Sequence, residues 1–466
     1  MLRGDRLADV AFVVASVGAA VLLLWFSSGS VFFLDEWRYI AGADDWSFAA
    51  LMEPYNQHWS LTLKLAWNSL MATAGMRSYV PYHLLMVLLH ISVATGLYVY
   101  ARRQTHALVA LAVGVLVLFL GTGSTNLLYA GALNHVIASA AGTWALVIML
   151  REPGPRRAWL ATLLLLAAAA SAGTGLFFVA AVAALVILTP DLRRLWWVVV
   201  PAGLAFAAWY LTFGRTQSTP LPELTALLEY VRDGFTFSIV SVSGLDALGQ
   251  VTDRRDTLLL VVAIAVILAA VVGLVRRSSP GRGLLAGAAG LLSLWLGLGL
   301  TRAALDPGSF TAERFIYVAA IFILVGLVGW LGGRSLGSLR HPDPVLAGIG
   351  IVLTVAVAWN VLNLVKRGDS WHQRGLAHRA AIAITLEHGG VGIPADQGWR
   401  YEVPGNRLTR ARPGEPIWIP DRAGLEALIA RYGSPLDDPL AFGDTNVPVE
   451  VYEATLAEAF GGSADK

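Results

Sequence analysis

The 466 residues contain no cysteine. That excludes disulfides and thiolate metal sites. Charge is also scarce: Asp, Glu, Lys and Arg make up 14% of the chain, where a soluble domain carries about 25%. No glycine-rich phosphate loop of the P-loop type is present, which argues against an ATP-driven pump. The basic residues are scattered through short loops, so nucleic-acid binding finds no support. What fills the chain is apolar: 56% of residues are hydrophobic and the mean hydropathy is +0.62. An ordinary soluble core cannot hide that much apolar surface. The chain must use lipid as solvent, where only helices and closed barrels satisfy the backbone. The runs are continuous rather than alternating, so the class is an all-α polytopic membrane protein.

A span needs about 20 mainly apolar residues. The sequence offers about eleven: 10–28, 81–100, 106–121, 135–150, 158–172, 174–189, 194–213, 257–275, 284–301, 315–333 and 344–363. The segments 158–172 and 174–189 read either as a tight hairpin or as one kinked helix around SAGTG. Loop charges arbitrate, because Lys and Arg gather in cytoplasmic loops. Clusters fall at Arg3/Arg6, Arg102/Arg103, Arg156/Arg157, Arg193/Arg194, Arg276/Arg277/Arg282 and Arg334/Arg340. They alternate with the other loops only when all eleven spans are counted, which favours the hairpin. The expected topology has a cytoplasmic N-terminus and an extracytoplasmic C-terminus, with the first apolar run retained as a span rather than removed as a signal peptide. Residues 1–363 form the transmembrane module. The tail, 364–466, reads as a small extracytoplasmic domain, with RAGLEALIARYG an amphipathic helix and EPIWIP an extended edge.

The first outer loop, 29–80, is the most informative. It follows the first span with Asp35 and Glu36, then Asp44 and Asp45, then His58. Trp46, Trp59 and Trp67 suit an amphipathic stretch lying at headgroup depth. A solvated span end or a helix N-cap is the plain account of any one acid. Four acids and a histidine in one loop point toward chemistry. Arg302 and Arg314 flank another outer loop, with Tyr317 one turn further on. Interfacial arginines often snorkel, but this pair lies opposite the basic cytoplasmic loops and calls for an anion. Lys64 is a weaker candidate. His83 and His135 stand at span ends, and His90 lies within a span, where neutral hydrogen bonding to a neighbouring helix is the common role. Asp35, Glu36 and His58 could supply oxygen and imidazole ligands to a divalent cation such as Mg, Mn or Zn. Their spacing follows no known ligand pattern, so no cofactor is assigned.

The order of DEW, NQHWS and SYVPYHLLMVLLHISVATGLYVYARR, with TAERFIYVAAIFIL later, resembles the polytopic GT-C glycosyltransferases of bacteria. The resemblance covers roughly the first 150 residues and, more loosely, 310–330. It implies a GT-C-like bundle that moves a hexosyl or pentosyl group from a polyprenyl-phosphate carrier to a glycan, lipid or protein acceptor on the outer face. It implies Asp35 as the general base with Glu36 as the alternate, because the family shows Asp-Asp or a single Asp where this chain has Asp-Glu. His58, Asp44, Asp45, Arg302, Arg314 and Tyr317 are the expected substrate-binding residues. Departing phosphate gathers negative charge that a guanidinium fork stabilises. A transporter or flippase for a lipid-linked or envelope substrate is the alternative, and an assembly protein acting through its tail a third reading. No inverted repeat is visible, and few charges lie mid-span.

Overall fold

The structure, a computed structural model, describes residues 2–55, 58–151, 153–215, 220–245, 281–332, 337–338, 341–342, 344–389, 401–402, 416–417, 419–440 and 447–461. Seven helices among them are long and apolar enough to cross a membrane: Arg6–Phe26, Val80–Gln104, Ala130–Met149, Pro190–Gly214, Arg282–Arg302, Glu313–Leu331 and Gly348–His388. Two shorter apolar helices, Ala107–Gly123 and Gly175–Leu188, accompany them. The expected span at 257–275 lies outside the described residues.

Helix α1 (Leu2–Phe26) leads into a loop that holds α2 (Glu36–Ala41), α3 (Phe48–Met52) and α4 (Leu61–Ala74). Next come α5 (Val80–Gln104), α6 (Ala107–Leu118), the one-turn α7 (Thr125–Leu128) and α8 (Leu133–Met149). Helices α9 (Pro155–Ala169), α10 (Gly175–Leu188), α11 (Val200–Trp209), α12 (Leu224–Ser243), α13 (Arg282–Arg302), α14 (Glu313–Leu331) and α15 (Pro344–His388) follow. In the tail lie α16 (Arg422–Tyr432) and α17 (Val449–Gly461). Among the described residues, regular strands are two-residue pairs such as Tyr401–Glu402 with Pro416–Ile417.

The 158–189 region is two helices. At Gly175 a Cβ would stand 1.9 Å from the Ala168 carbonyl oxygen, so the return of the chain needs glycine there. With 15 and 14 residues, α9 and α10 are about 22 and 21 Å long. Small residues likewise let α13 and α14 approach. A Cβ on Gly287 would stand 2.5 Å from Gly326 N, and Gly283 and Gly329 face each other in the same way. Where lipid competes equally for apolar side chains, such close backbone approach supplies the packing contacts.

Polar ties mark the two ends of the bundle. At one end the Thr62 and Ser171 hydroxyls are 2.5 Å apart, and Glu313 at the start of α14 accepts from Thr125 N at 2.9 Å. At the other end Arg102 pairs with Asp9 at 3.4 Å and Arg282 with Asp191 at 3.3 Å. Loops expected on opposite sides of a membrane thus fall at opposite ends.

Helix α15 has 45 residues, about 68 Å, more than twice the hydrocarbon thickness of about 30 Å. The boundary drawn at 363/364 from hydropathy falls inside it. Past that point Leu376, Ala377, Ala380, Ala381 and Ile384 are buried at helical spacing. Ala381, Ile382 and Ile384 join Phe32, Trp37, Ile40, Trp67 and the Leu425 of α16 in a second core outside the apolar bundle. This cap changes one expectation for the first loop. Its tryptophans do not share a lipid-facing helix: Trp67 is fully buried, Trp59 stacks on Trp209 at 5.8 Å, and only Trp46 is exposed, at 48%. Burial in the cap core outweighs headgroup contact for a ring that has tertiary partners.

Candidate functional site

The apolar run of α1 ends in Ser27–Ser30, and the chain then drops Phe32 into the cap core and Phe33 into a separate small cluster with Tyr129 and Ala132. Phe32 meets Trp37, Trp67, Tyr79 and Tyr82 edge-on at 5.0–6.3 Å. Phe33 packs on Tyr129, Trp371 and His378. Between these anchors and α2 the backbone bends through Leu34, whose φ of +52° is the one positive value on a non-glycine residue among the described residues. Such conformations persist only where the surroundings enforce them.

Asp35 and Glu36 leave this bend in different directions. Glu36 is fully buried. Its Oε2 accepts from the Phe33 N–H at 3.0 Å and its Oε1 from the Tyr79 hydroxyl at 2.8 Å. The Tyr79 oxygen in turn accepts from Ala130 N at 2.9 Å. Burial pushes the Glu36 carboxyl up to about 8, against the opposing pull of the Phe33 and Tyr79 hydrogen bonds. Asp35 is half-buried. It occupies the N-cap position of α2, yet its side chain makes no capping hydrogen bond. Its carboxylate lies within electrostatic reach of Tyr55 and of Arg314.

The arginines stand opposite. Arg302 at the end of α13 and Arg314 in the first turn of α14 are both half-buried. Their guanidinium carbons lie 5.5 and 4.9 Å from the centre of the Phe315 ring. Neither makes an ion pair among the described residues. Two cations beside one aromatic ring, with Asp35 and Asp306 only within electrostatic reach of Arg314, form a site complementary to an anion. His58 completes the rim. It sits 6.3 Å, ring to ring, from His135, which hydrogen-bonds Thr174 Oγ1 at 3.2 Å. The turn at Gly173 closes over it, a Cβ there standing 3.1 Å from His58 Nδ1. Loss of water, reinforced by Arg302 and Arg314, holds the His58 imidazole down at about 4, so it is neutral at pH 7.

The other expected residues lie elsewhere. Asp44 forms an ion pair with Arg431 of α16. Asp45 accepts from Ser47 N at 2.8 Å, and the Ser47 hydroxyl and N–H hold its carboxyl below the usual range. Asp44 thus ties the first loop to α16, and Asp45 closes a turn within that loop. Tyr317 is fully buried, its hydroxyl 2.8 Å from His90 Nδ1, while the other His90 nitrogen lies 3.2 Å from Leu118 O. Lys64 donates to the carbonyls of Ala50 and Glu53, at 2.5 and 2.8 Å. The set Asp35, Glu36 and His58 does not converge: Glu36 turns inward to Tyr79, and among the described residues no group of three His, Asp or Glu stands ready for a metal.

Two residues escaped the sequence reading. Tyr79 anchors Glu36. Glu313, next to Arg314, accepts from the Ser124 hydroxyl, from Thr125 N and from Thr125 Oγ1, and pairs with Arg367 at 3.1 Å. It pins α14, α15 and the 124–125 turn together. An acid in the first turn of a helix, immediately before a candidate arginine, was the available signal. Compared with known families, with curated proteins and with solved structures, the chain finds no match.

Proposed function

We propose that the chain is a polytopic glycosyltransferase of the GT-C type, transferring a hexosyl or pentosyl group from a polyprenyl-phosphate carrier to a glycan, lipid or protein hydroxyl. The observation that carries the reading is the Arg302–Arg314 pair on Phe315, half-buried, in no ion pair among the described residues and with Asp35 within electrostatic reach of Arg314. A donor that is half lipid keeps its reactive carbon where the bundle meets the cap. Asp35 takes the proton of the acceptor hydroxyl as its oxygen bonds to the anomeric carbon. The bond from that carbon to the phosphate oxygen breaks, and its electron pair leaves with the lipid phosphate, between the two guanidinium forks. Neutral His58 is placed to hydrogen-bond sugar or phosphate. In this reading about eleven spans place the N-terminus in the cytoplasm and the cap outside. A transport path has less support, since the mid-bundle His90 and Tyr317 hydrogen-bond each other rather than line an opening.

The test is transfer of radiolabelled sugar from polyprenyl-phosphate donors by the purified protein in the presence of a membrane extract. Lipid-phosphate-dependent labelling of an acceptor is expected. Its absence with every such donor would sink the reading. Because the chain has no cysteine, single cysteines report orientation: one at Trp46 should react with an impermeant thiol reagent in intact cells and one at Arg156 should not.

A further inference from the structure

Glu36 has the features of a fastener rather than of a reacting group. It is sealed from solvent, and its two oxygens accept from the Phe33 N–H and the Tyr79 hydroxyl. The Phe33 bond spans the bend, joining the residue before Leu34 to the residue after Asp35. The Tyr79 bond ties the same carboxyl to the start of α5 and, through Ala130 N, to the segment before α8. The unfavourable φ of Leu34 lies inside this loop of bonds. Without the bonds, Leu34 would relax toward negative φ and Asp35 would swing with it.

We propose that Glu36 and Tyr79 are positioning residues, a clamp that holds the Leu34 bend so that the Asp35 carboxylate faces Arg314. This rests on the reading of Asp35 as the base. It assigns the second acid of the pair a purpose distinct from catalysis. It also requires an acid with two acceptor oxygens at 36 and a hydroxyl at 79, which Gln and Phe do not reproduce.

Two arms test the clamp. In the first, transfer is measured for Glu36→Gln and Tyr79→Phe. A displaced base slows the chemical step, so kcat should fall by about 10- to 100-fold with the KM for the donor little changed. The second arm needs no transfer. Asp35→Cys places a single thiol at the site, and its alkylation rate against pH gives its pKa. Beside Arg314 that pKa should lie below the ordinary thiol value of about 8.5, and adding Arg314→Ala should raise it. Adding Glu36→Gln or Tyr79→Phe should raise it in the same direction, because the thiol no longer faces the arginine. If the thiol pKa is unmoved by either clamp variant, Glu36 does not orient residue 35 and the proposal fails, whatever happens to activity. If no donor supports transfer but the thiol responds as expected, the clamp stands and the glycosyltransferase reading is what fails.

Discussion

Asp35 and Glu36 are neighbours in sequence and belong to opposite regions of the molecule. Glu36 sits beside the cap core, next to Tyr79 and Phe32, where both carboxyl oxygens accept hydrogen bonds, one from the Phe33 N–H and one from the Tyr79 hydroxyl. Asp35 lies on the boundary between cap and bundle, where two arginines and two histidines gather. One carboxyl is satisfied and closed off. The other is half-open, makes no cap bond and lies within electrostatic reach of Arg314, which makes no ion pair among the described residues. Charge pattern alone makes the two acids look equivalent. Burial separates them, because a carboxyl sealed from water and already bonded cannot meet a substrate, while a half-exposed one stays reachable.

That contrast can be broken at several points. The largest effect is expected at Asp35. Asp35→Asn keeps the size but removes the proton acceptor, and transfer should fall by about 10²–10⁴-fold in a protein that still inserts. Glu36→Gln should cost less. If Glu36→Gln proves the more damaging of the two, the roles are reversed.

A smaller effect, on stability rather than chemistry, is expected at Glu313. Glu313→Ala leaves Ser124, Thr125 and Arg367 without their shared acceptor, at a cost of about 1–3 kcal/mol. Thermal unfolding in detergent should show the loss, and an unchanged midpoint would contradict the anchoring role. The smallest effect is a pH slope. The folded-state pKa of Glu36 is raised to about 8 from an ordinary value of 4.5, so the folded protein holds its proton more tightly than the unfolded chain does. Its contribution is therefore fully present below about pH 4.5 and is lost as pH rises through 8. Glu36→Gln should flatten the decline in melting temperature between those values. An identical decline in both proteins would show that Glu36 does not titrate as its burial implies.

The bundle was legible because hydropathy reports lipid contact residue by residue. The expected runs recur as α1, α5, α8, α13 and α14, and the SAGTG break between α9 and α10 was readable from loop charge. The cap was less legible. Its buried positions on α15, Leu376 through Ile384, carry a clear helical period, but mean hydropathy over a span-length window dilutes it with Arg374, His378 and Arg379. Trp67 reads as interfacial until its partners from distant segments, Phe32, Tyr39 and Tyr82, are known. At the site, Asp35, His58, Arg302 and Arg314 were visible from residue type and loop membership, and the structure brings them together. The inward turn of Glu36 and the burial of Tyr317 depend on Tyr79 and His90, far away in sequence, and no local pattern encodes them.

The account stands on the arginine pair as the seat of a lipid phosphate, and binding tests it most directly. Polyprenyl monophosphate, without sugar, is titrated into purified protein and followed by tryptophan fluorescence. The account predicts saturable binding. It also predicts that Arg302→Ala with Arg314→Ala weakens binding by tenfold or more, that Arg314→Lys recovers only part of it because the planar fork is lost, and that Glu36→Gln leaves it unchanged. Wild-type affinity in the double-alanine variant would contradict it.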